Sequence, residues 1–120
     1  MMGERAMPDR NTRPWESEFS IEDTEMVAET PELRAVRLTL AAGQCVPWHW
    51  HSAIDDHFIC LEGAIEIETR APRGKHRLAP GNEHAVPAKV AHIVRNVADG
   101  RSRFMVIQGI GPYDYHAVGG

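Results

Sequence analysis

The sequence predicts an all-β domain, a barrel or sandwich of short strands. Three observations carry this: apolar and polar residues alternate over short runs, Gly, Pro and Asp turn signals separate the runs at close spacing, and no stretch sustains a helical period. From Leu33 to Leu40, Val36, Leu38 and Leu40 alternate with Arg37 and Thr39, the pattern of a half-buried strand. After the turn at Ala42-Gly43, Val46 to His51 reads as a second strand. His57 to Leu61 and Ala64 to Arg70 form a hairpin around Glu62-Gly63, with Ile65 and Ile67 opposing Glu66 and Glu68. Arg70 to Gly74 is a loop, Lys75 to Leu78 a short strand, and Pro80-Gly81 a turn. Ala91 to Val97 and Arg103 to Gln108 complete the set, separated by the turn Ala98-Asp99-Gly100.

The chain's 120 residues suffice for one domain. Residues 1 to about 20 carry Arg5, Arg10, Arg13, Pro8 and Pro14 with few apolar groups, so a flexible arm is expected there. Trp15 and Phe19 are its exceptions and could pin its end onto the barrel or onto a neighbouring subunit. Residues 21–120 are assigned to a single barrel with a C-terminal tail. A formal net charge of −4 with no basic run gives no reason to expect nucleic acid or an anionic membrane as partner. No apolar stretch approaches the ~20 residues of a spanning helix and Met1 to Arg13 is polar, so a soluble cytoplasmic protein is expected. Cys45 and Cys60 make no disulfide framework and read as small core residues.

The chemistry concentrates between Gly43 and Gly63. His49 and His51 bracket Trp50, and side chains two apart on a strand share a face, so both imidazoles can reach one point while Trp48 and Trp50 face the other way. Two imidazoles and a carboxylate from the Asp55-Asp56 pair suit a divalent first-row transition metal, although histidines on a strand are often merely surface groups. If Asp56 faces the site, Phe58 and Cys60 do too and His57 faces out; the reverse parity would turn Asp55 and His57 inward. Downstream, Gly81, Pro87, His92 and Asn96 form a second spaced run.

On these residues the chain resembles the cupin family. The family's first motif is Gly, five residues, His, one residue, His, three or four residues, Glu, six residues, Gly. Here stand Gly43, His49, His51, Asp56 in place of Glu, and Gly63. Its second motif is Gly, five residues, Pro, one residue, Gly, two residues, His, three residues, Asn. Here stand Gly81, Pro87, Lys89 in place of Gly, His92 and Asn96. With the strands around the motifs, the likeness extends over roughly residues 21 to 112. It implies a double-stranded β-helix, or jelly-roll barrel, with His49, His51, Asp56 and His92 around one divalent transition metal, Fe, Mn, Ni, Cu or Zn.

Aspartate is one methylene shorter than glutamate. Asp56 is therefore expected either to ligate the metal, completing three His and one carboxylate, or to orient a histidine or a water beside a three-His site. It is also available as a base. Phe58, Cys60, Val94, Phe104 and Val106 are expected to line an apolar small-molecule pocket, with Gln108 donating into it and Arg34 at the barrel mouth to bind a substrate carboxylate. Tyr113, Tyr115 and His116 could fold over an opening as a lid. Outward-facing Trp48 and Trp50 call for cover by the N-terminal arm, by the other sheet's edge or by a second subunit, and since small cupins resembling this one commonly pair, a homodimer is expected.

The functional expectation is a metal-dependent enzyme, oxygenase-like, acting on a small organic molecule, with decarboxylase, isomerase and hydrolase chemistry also found among proteins of this resemblance. A non-catalytic module that binds or senses a small ligand is the alternative, and a silent partner subunit is a third. Fold alone does not decide among them.

Overall fold

The computed structural model describes residues 22–118. Their secondary structure is entirely β: β1 (Asp23–Thr30), β2 (Leu33–Leu40), β3 (Cys45–Trp50), β4 (Asp55–Glu62), β5 (Ile65–Thr69), β6 (Gly74–Leu78), β7 (Glu83–Val86), β8 (His92–Asn96), β9 (Ser102–Gly109) and β10 (His116–Ala117). They form two antiparallel five-stranded sheets, ordered β1-β2-β9-β4-β7 and β10-β3-β8-β5-β6. The expected flexible arm, with Trp15 and Phe19, lies outside the described residues.

Period-two alternation builds the core between the sheets. Val36, Leu38 and Leu40 of β2 meet Phe104 and Val106 of β9, while Ile65 and Ile67 of β5 close on Val94 of β8. Each such side chain contributes about 1.5–3 kcal/mol by leaving water. On the outer face of β5, Glu66 and Glu68 pair with Arg95 at 3.3 and 2.7 Å, so the opposite parity remains polar.

The expected hairpin around Glu62-Gly63 is corrected: β4 pairs with β7 and β9 and β5 with β6 and β8, so the Gly63 turn crosses from one sheet to the other. Three strands were not expected. β1 is an edge strand whose residues are mostly exposed, β7 has four residues on the opposite edge, and β10 has two. Edge strands need only one paired side, so they carry weak hydrophobic alternation. Cys45, expected as a small core residue, is corrected too. A register shift between Val46 and His49 turns Val46 inward and leaves Cys45 half-buried.

Two motif positions have direct backbone explanations. Gly63 has φ +77°, and an added Cβ there would stand 2.3 Å from Ser102 Oγ and 2.7 Å from the Arg101 carbonyl oxygen, so both conformation and space require glycine. Lys89, standing where the motif has glycine, has φ +72°, a left-handed conformation that glycine adopts without strain. Its amide donates to the His51 carbonyl at 2.7 Å, tying this loop to the strand that carries the histidines.

Candidate metal centre

Strand parity brings four side chains to one point between the sheets. His49 and His51 come from β3 and its end, His92 from the start of β8, where it pairs with His49, and Asp56 from β4 in the opposite sheet. All four are buried, and one ligand atom from each lies within 4.8 Å of the others. The imidazole centroids stand 4.9 Å apart for His49 and His51, 4.3 Å for His49 and His92, and 5.8 Å for His51 and His92. Asp55, one residue away, is exposed and accepts from the Ala88 amide at 2.9 Å. His57 faces out and pairs with Glu83 at 2.8 Å. Of the two parities open in the sequence, the one with Asp56 inside holds.

The second nitrogen of each imidazole is committed. Nδ1 of His49, His51 and His92 lies 2.7, 2.6 and 2.9 Å from the carbonyl oxygens of Pro47, Asp114 and Val90. A carbonyl only accepts, so each Nδ1 carries the proton. In the neutral rings Nε2 is then a bare lone pair, and Nε2 of His51 and His92 lies 3.1 and 2.9 Å from Asp56 Oδ2. Lone pairs facing a carboxylate oxygen repel unless a cation sits among them, either as protons or as a metal ion. Burial pushes the Asp56 carboxyl up, but the neighbouring His51 and His92 outweigh it and hold the group well below its usual range. Burial, reinforced by His92, pushes His49 down to about 3, so that ring is neutral at neutral pH.

Backbone-anchored histidines with converging nitrogens and one carboxylate make a donor set that fits a divalent transition ion. Ligand atoms about 2.1 Å from a common ion stand roughly 2.9–3.4 Å apart when adjacent, as the two Asp56 contacts do. Gln108 Nε2 donates to Asp56 Oδ1 at 2.9 Å and fixes the carboxylate's rotation.

Leu38, Val46, Phe58, Val94, Phe104, Val106 and Gln108 surround the remaining space, a cavity of about 20 Å³ beside His49, His51 and Asp56. That is room for about one water. One expected lining residue is placed elsewhere. Cys60 is buried near the other end of β4, its thiol directed at the Glu62 and Gly63 carbonyls, where it serves the core. Arg34 sits in the register row of Gln108 and Asp56, but its guanidinium lies 4.1 Å over the Tyr113 ring with Glu29 at 3.7 Å, outside the cavity.

The C-terminal segment closes over the histidines. Tyr115 stacks on His49 with centroids 4.8 Å apart, and Tyr113 lies 5.5 Å from His51. Trp48 and Trp50 do face away from the site and are half-buried, Trp48 under Arg70 at 4.0 Å and Trp50 stacked on His116 at 4.1 Å. Sequence reasoning missed the carbonyls of Pro47, Val90 and Asp114, because a backbone acceptor has no residue signature. Among the described residues no helix is long and apolar enough to cross a membrane.

An acid dependence follows from the burial of His49. Its folded pKa lies below the unfolded value of about 6.5, so the unfolded chain binds the proton more readily and stability is lost as pH falls from about 6.5 towards 3. Asp56, also depressed, acts in the same direction below the ordinary carboxylate range. The melting temperature of metal-free protein is expected to fall between pH 7 and 4, and His49→Asn to flatten that slope. Identical slopes for the two proteins would contradict the assignment.

The comparisons with known proteins agree with this fold. The chain matches, over 98% of its length and 100% of the other, the structure of an uncharacterized conserved protein with a double-stranded β-helix domain from Klebsiella pneumoniae, with a TM-score of 0.73 at 18% identity. KdgF from Halomonas sp. matches over 78% of this chain and 90% of its own, with a TM-score of 0.66 at 25% identity. Oxalate decarboxylase from Lactobacillus farciminis, solved as a formate complex, matches 83% of this chain with a TM-score of 0.73 at 13% identity; this chain spans 32% of its length. The chain likewise spans less than two thirds of other matched structures, 66% of a latex cysteine peptidase from Thevetia peruviana and 46% of an oxalate oxidase. No curated protein sequence matches. The family model for the Cupin domain matches residues 36–108, from the first core residue of β2 to the glutamine that orients Asp56, and with more than half of the chain matched, the protein belongs to the cupin family.

Proposed function

We propose that the protein binds one divalent transition metal per chain through His49, His51, Asp56 and His92 and acts as a metal-dependent, oxygenase-like enzyme on a small organic molecule. One observation carries the metal: three buried imidazoles with protonated Nδ1 direct Nε2 at the centre, two of them against the carboxylate oxygen of Asp56. An outer acceptor would meet a ligating histidine at Nδ1, and those atoms are all taken by backbone carbonyls. Asp56 is therefore a direct ligand in this reading, with Gln108 on its other oxygen. A bound ion would act as a Lewis acid towards an enolate, catecholate, diketone or thiolate oxygen or sulfur.

The chain's own contribution is position and dryness. Phe58, Phe104 and Val106 keep bulk water from the centre, which strengthens every charge interaction there. Arg34, at the end of the polar row Arg34-Gln108-Asp56, supplies a guanidinium for an acidic substrate that displaces Tyr113. The second reading is a module that binds or senses a small ligand at the same centre without turnover; with room for about one water, the organic molecule in either reading must displace part of the lining. Elemental analysis of protein purified without chelator, followed by oxygen-uptake assays on small enolates, catechols, diketones and thiols, separates the two. Stoichiometric metal with oxygen consumption supports the enzyme. Metal, or a retained organic ligand, with no turnover supports the module, and absence of metal overturns the centre.

A homodimer belongs to the same proposal. Trp48 and Trp50 remain only half-buried under Arg70 and His116, and further cover by a second copy would add several kcal/mol at roughly 25 cal/mol per Å². Sedimentation is expected to show a dimer that Trp48→Ser/Trp50→Ser shifts towards monomer with metal content unchanged. A wild-type monomer at micromolar concentration would reject it.

A further inference from the structure

We propose that Asp114 is a positioning residue for the metal site: docking of the C-terminal strap, residues 111–118, holds His51 in the tautomer and orientation that direct its Nε2 at the centre, so strap docking and metal binding are coupled. The three Nδ1 partners differ in origin. His49 and His92 donate to carbonyls two residues earlier in the chain, Pro47 and Val90, which their own segments fix. His51 donates to the Asp114 carbonyl, sixty-three positions away, at 2.6 Å. Of the three, only His51 takes its Nδ1 acceptor from the C-terminal strap.

The strap is fastened at both ends and in the middle. The Gly111 amide donates to the Glu32 carbonyl at 2.8 Å, and the Val118 amide to the Trp48 carbonyl at 3.1 Å. Between them, Asp114 Oδ1 accepts from the Ser52 amide at 2.8 Å, next in the chain to His51. Asp114 Oδ2 lies 3.0 Å from His116 Nε2, whose ring stacks on Trp50. Ser52 Oγ is also 3.0 Å from that same nitrogen. A Ser-His-Asp relay needs the serine and the carboxylate on different ring nitrogens. Here both meet Nε2, so the trio is a clip rather than a nucleophile. Its effect is to lock the Asp114 backbone over His51 while Tyr113 and Tyr115 lie against His51 and His49.

When the strap lifts, His51 Nδ1 loses the Asp114 carbonyl, and the tautomer that instead donates Nε2–H to Asp56 Oδ2 gains population. Because coupling is reciprocal, a metal that prefers the docked strap tightens it by the same factor. The affinity consequence rests on the metal reading; the orientation of His51 does not.

The test uses the full chain as wild type, Asp114→Ala and Asp114→Asn, the last retaining an oxygen for the Ser52 amide. Imidazole ¹⁵N resonances of metal-free protein report the tautomer of each histidine. In Asp114→Ala, His51 alone is expected to lose its Nδ1–H form, with His49 and His92 unchanged, and Asp114→Asn is expected to restore it. Zinc affinity by chelator competition should fall 10- to 100-fold in Asp114→Ala, the range for outer hydrogen-bond partners of a ligand, and stay within a few-fold of wild type in Asp114→Asn. Zinc should also slow exchange of the Val118 amide in wild type. An unchanged His51 tautomer in Asp114→Ala overturns the proposal, as does a change in all three histidines together, which would mark general loosening. If wild type binds no zinc, the metal reading falls, while the tautomer comparison still decides the role of Asp114.

Discussion

Replacing His51 or His92 with alanine is expected to remove nearly all bound transition metal, lowering affinity by more than the roughly 100-fold that an outer hydrogen-bond partner is worth. The argument is one of ligand count and charge. Three imidazoles and one carboxylate give four donors from the protein, and deleting a histidine leaves three around a pocket whose other walls are apolar but for Gln108. The carbonyls of Pro47, Val90 and Asp114 meet the outer Nδ1 side of the rings, not the side that faces the centre. Asp56→Asn is expected to be comparably severe, because it removes the only negative charge among the four donors while leaving the shape intact. His57→Ala is the control: it is a histidine next to Asp56 in sequence, yet it faces solvent and pairs with Glu83. Metal content by elemental analysis and affinity by chelator competition check all four variants. Equal metal in His51→Ala and wild type would mean that the ion, if bound, sits elsewhere.

Much of this centre was legible because it obeys strand parity. A period of two placed His49 with His51, Asp56 with Phe58, and Phe104 with Val106 and Gln108, and the structure keeps each of these groupings on one face. The pairing of Arg34 with Gln108, and of Gln108 with Asp56, is a register fact that no single strand reveals. It explains why Gln108 reaches the carboxylate while Arg34, one strand further away, lies over Tyr113 instead.

What stayed hidden has physical causes too. β1 and β7 bury one edge only, so Asp23–Thr30 and Glu83–Val86 lack the apolar alternation that marked β2 and β9. The register shift between Val46 and His49 inverts parity with no glycine to announce it. Cys60 has the right parity for the cavity but the wrong height along β4, and parity says nothing about height. The strap's part in the site depends on a backbone carbonyl at Asp114, to which any residue type would contribute the same atom.

The second large effect is expected at Asn96, a motif residue that never touches the metal centre. Its side chain is a clamp between the two sheets' turns. Nδ2 donates towards the Leu40, Ala41 and Gly100 carbonyls at 3.0, 2.9 and 2.8 Å. Oδ1 accepts from the Ala98 amide at 2.9 Å and from Ser102 Oγ at 2.7 Å. Ser102 in turn bonds Ala64 and lies where any side chain at Gly63 would collide, so one amide organises the β2–β3, β4–β5 and β8–β9 connections. Asn96→Ala strands several buried polar groups at about 1–3 kcal/mol each. Allowing for partial solvation by water, a loss of roughly 3–5 kcal/mol is expected, or a melting temperature lower by about 15 °C or more. Asn96→Asp should do no better, since a carboxylate would face three carbonyl oxygens without a proton to give them. Because the clamp lies away from the donors, metal affinity measured well below the melting temperature should remain within a few-fold of wild type. Denaturant unfolding decides the matter: a loss under about 1 kcal/mol would show that the turns hold without the clamp, and a collapse of metal binding in the still-folded variant would show that Asn96 acts on the centre after all.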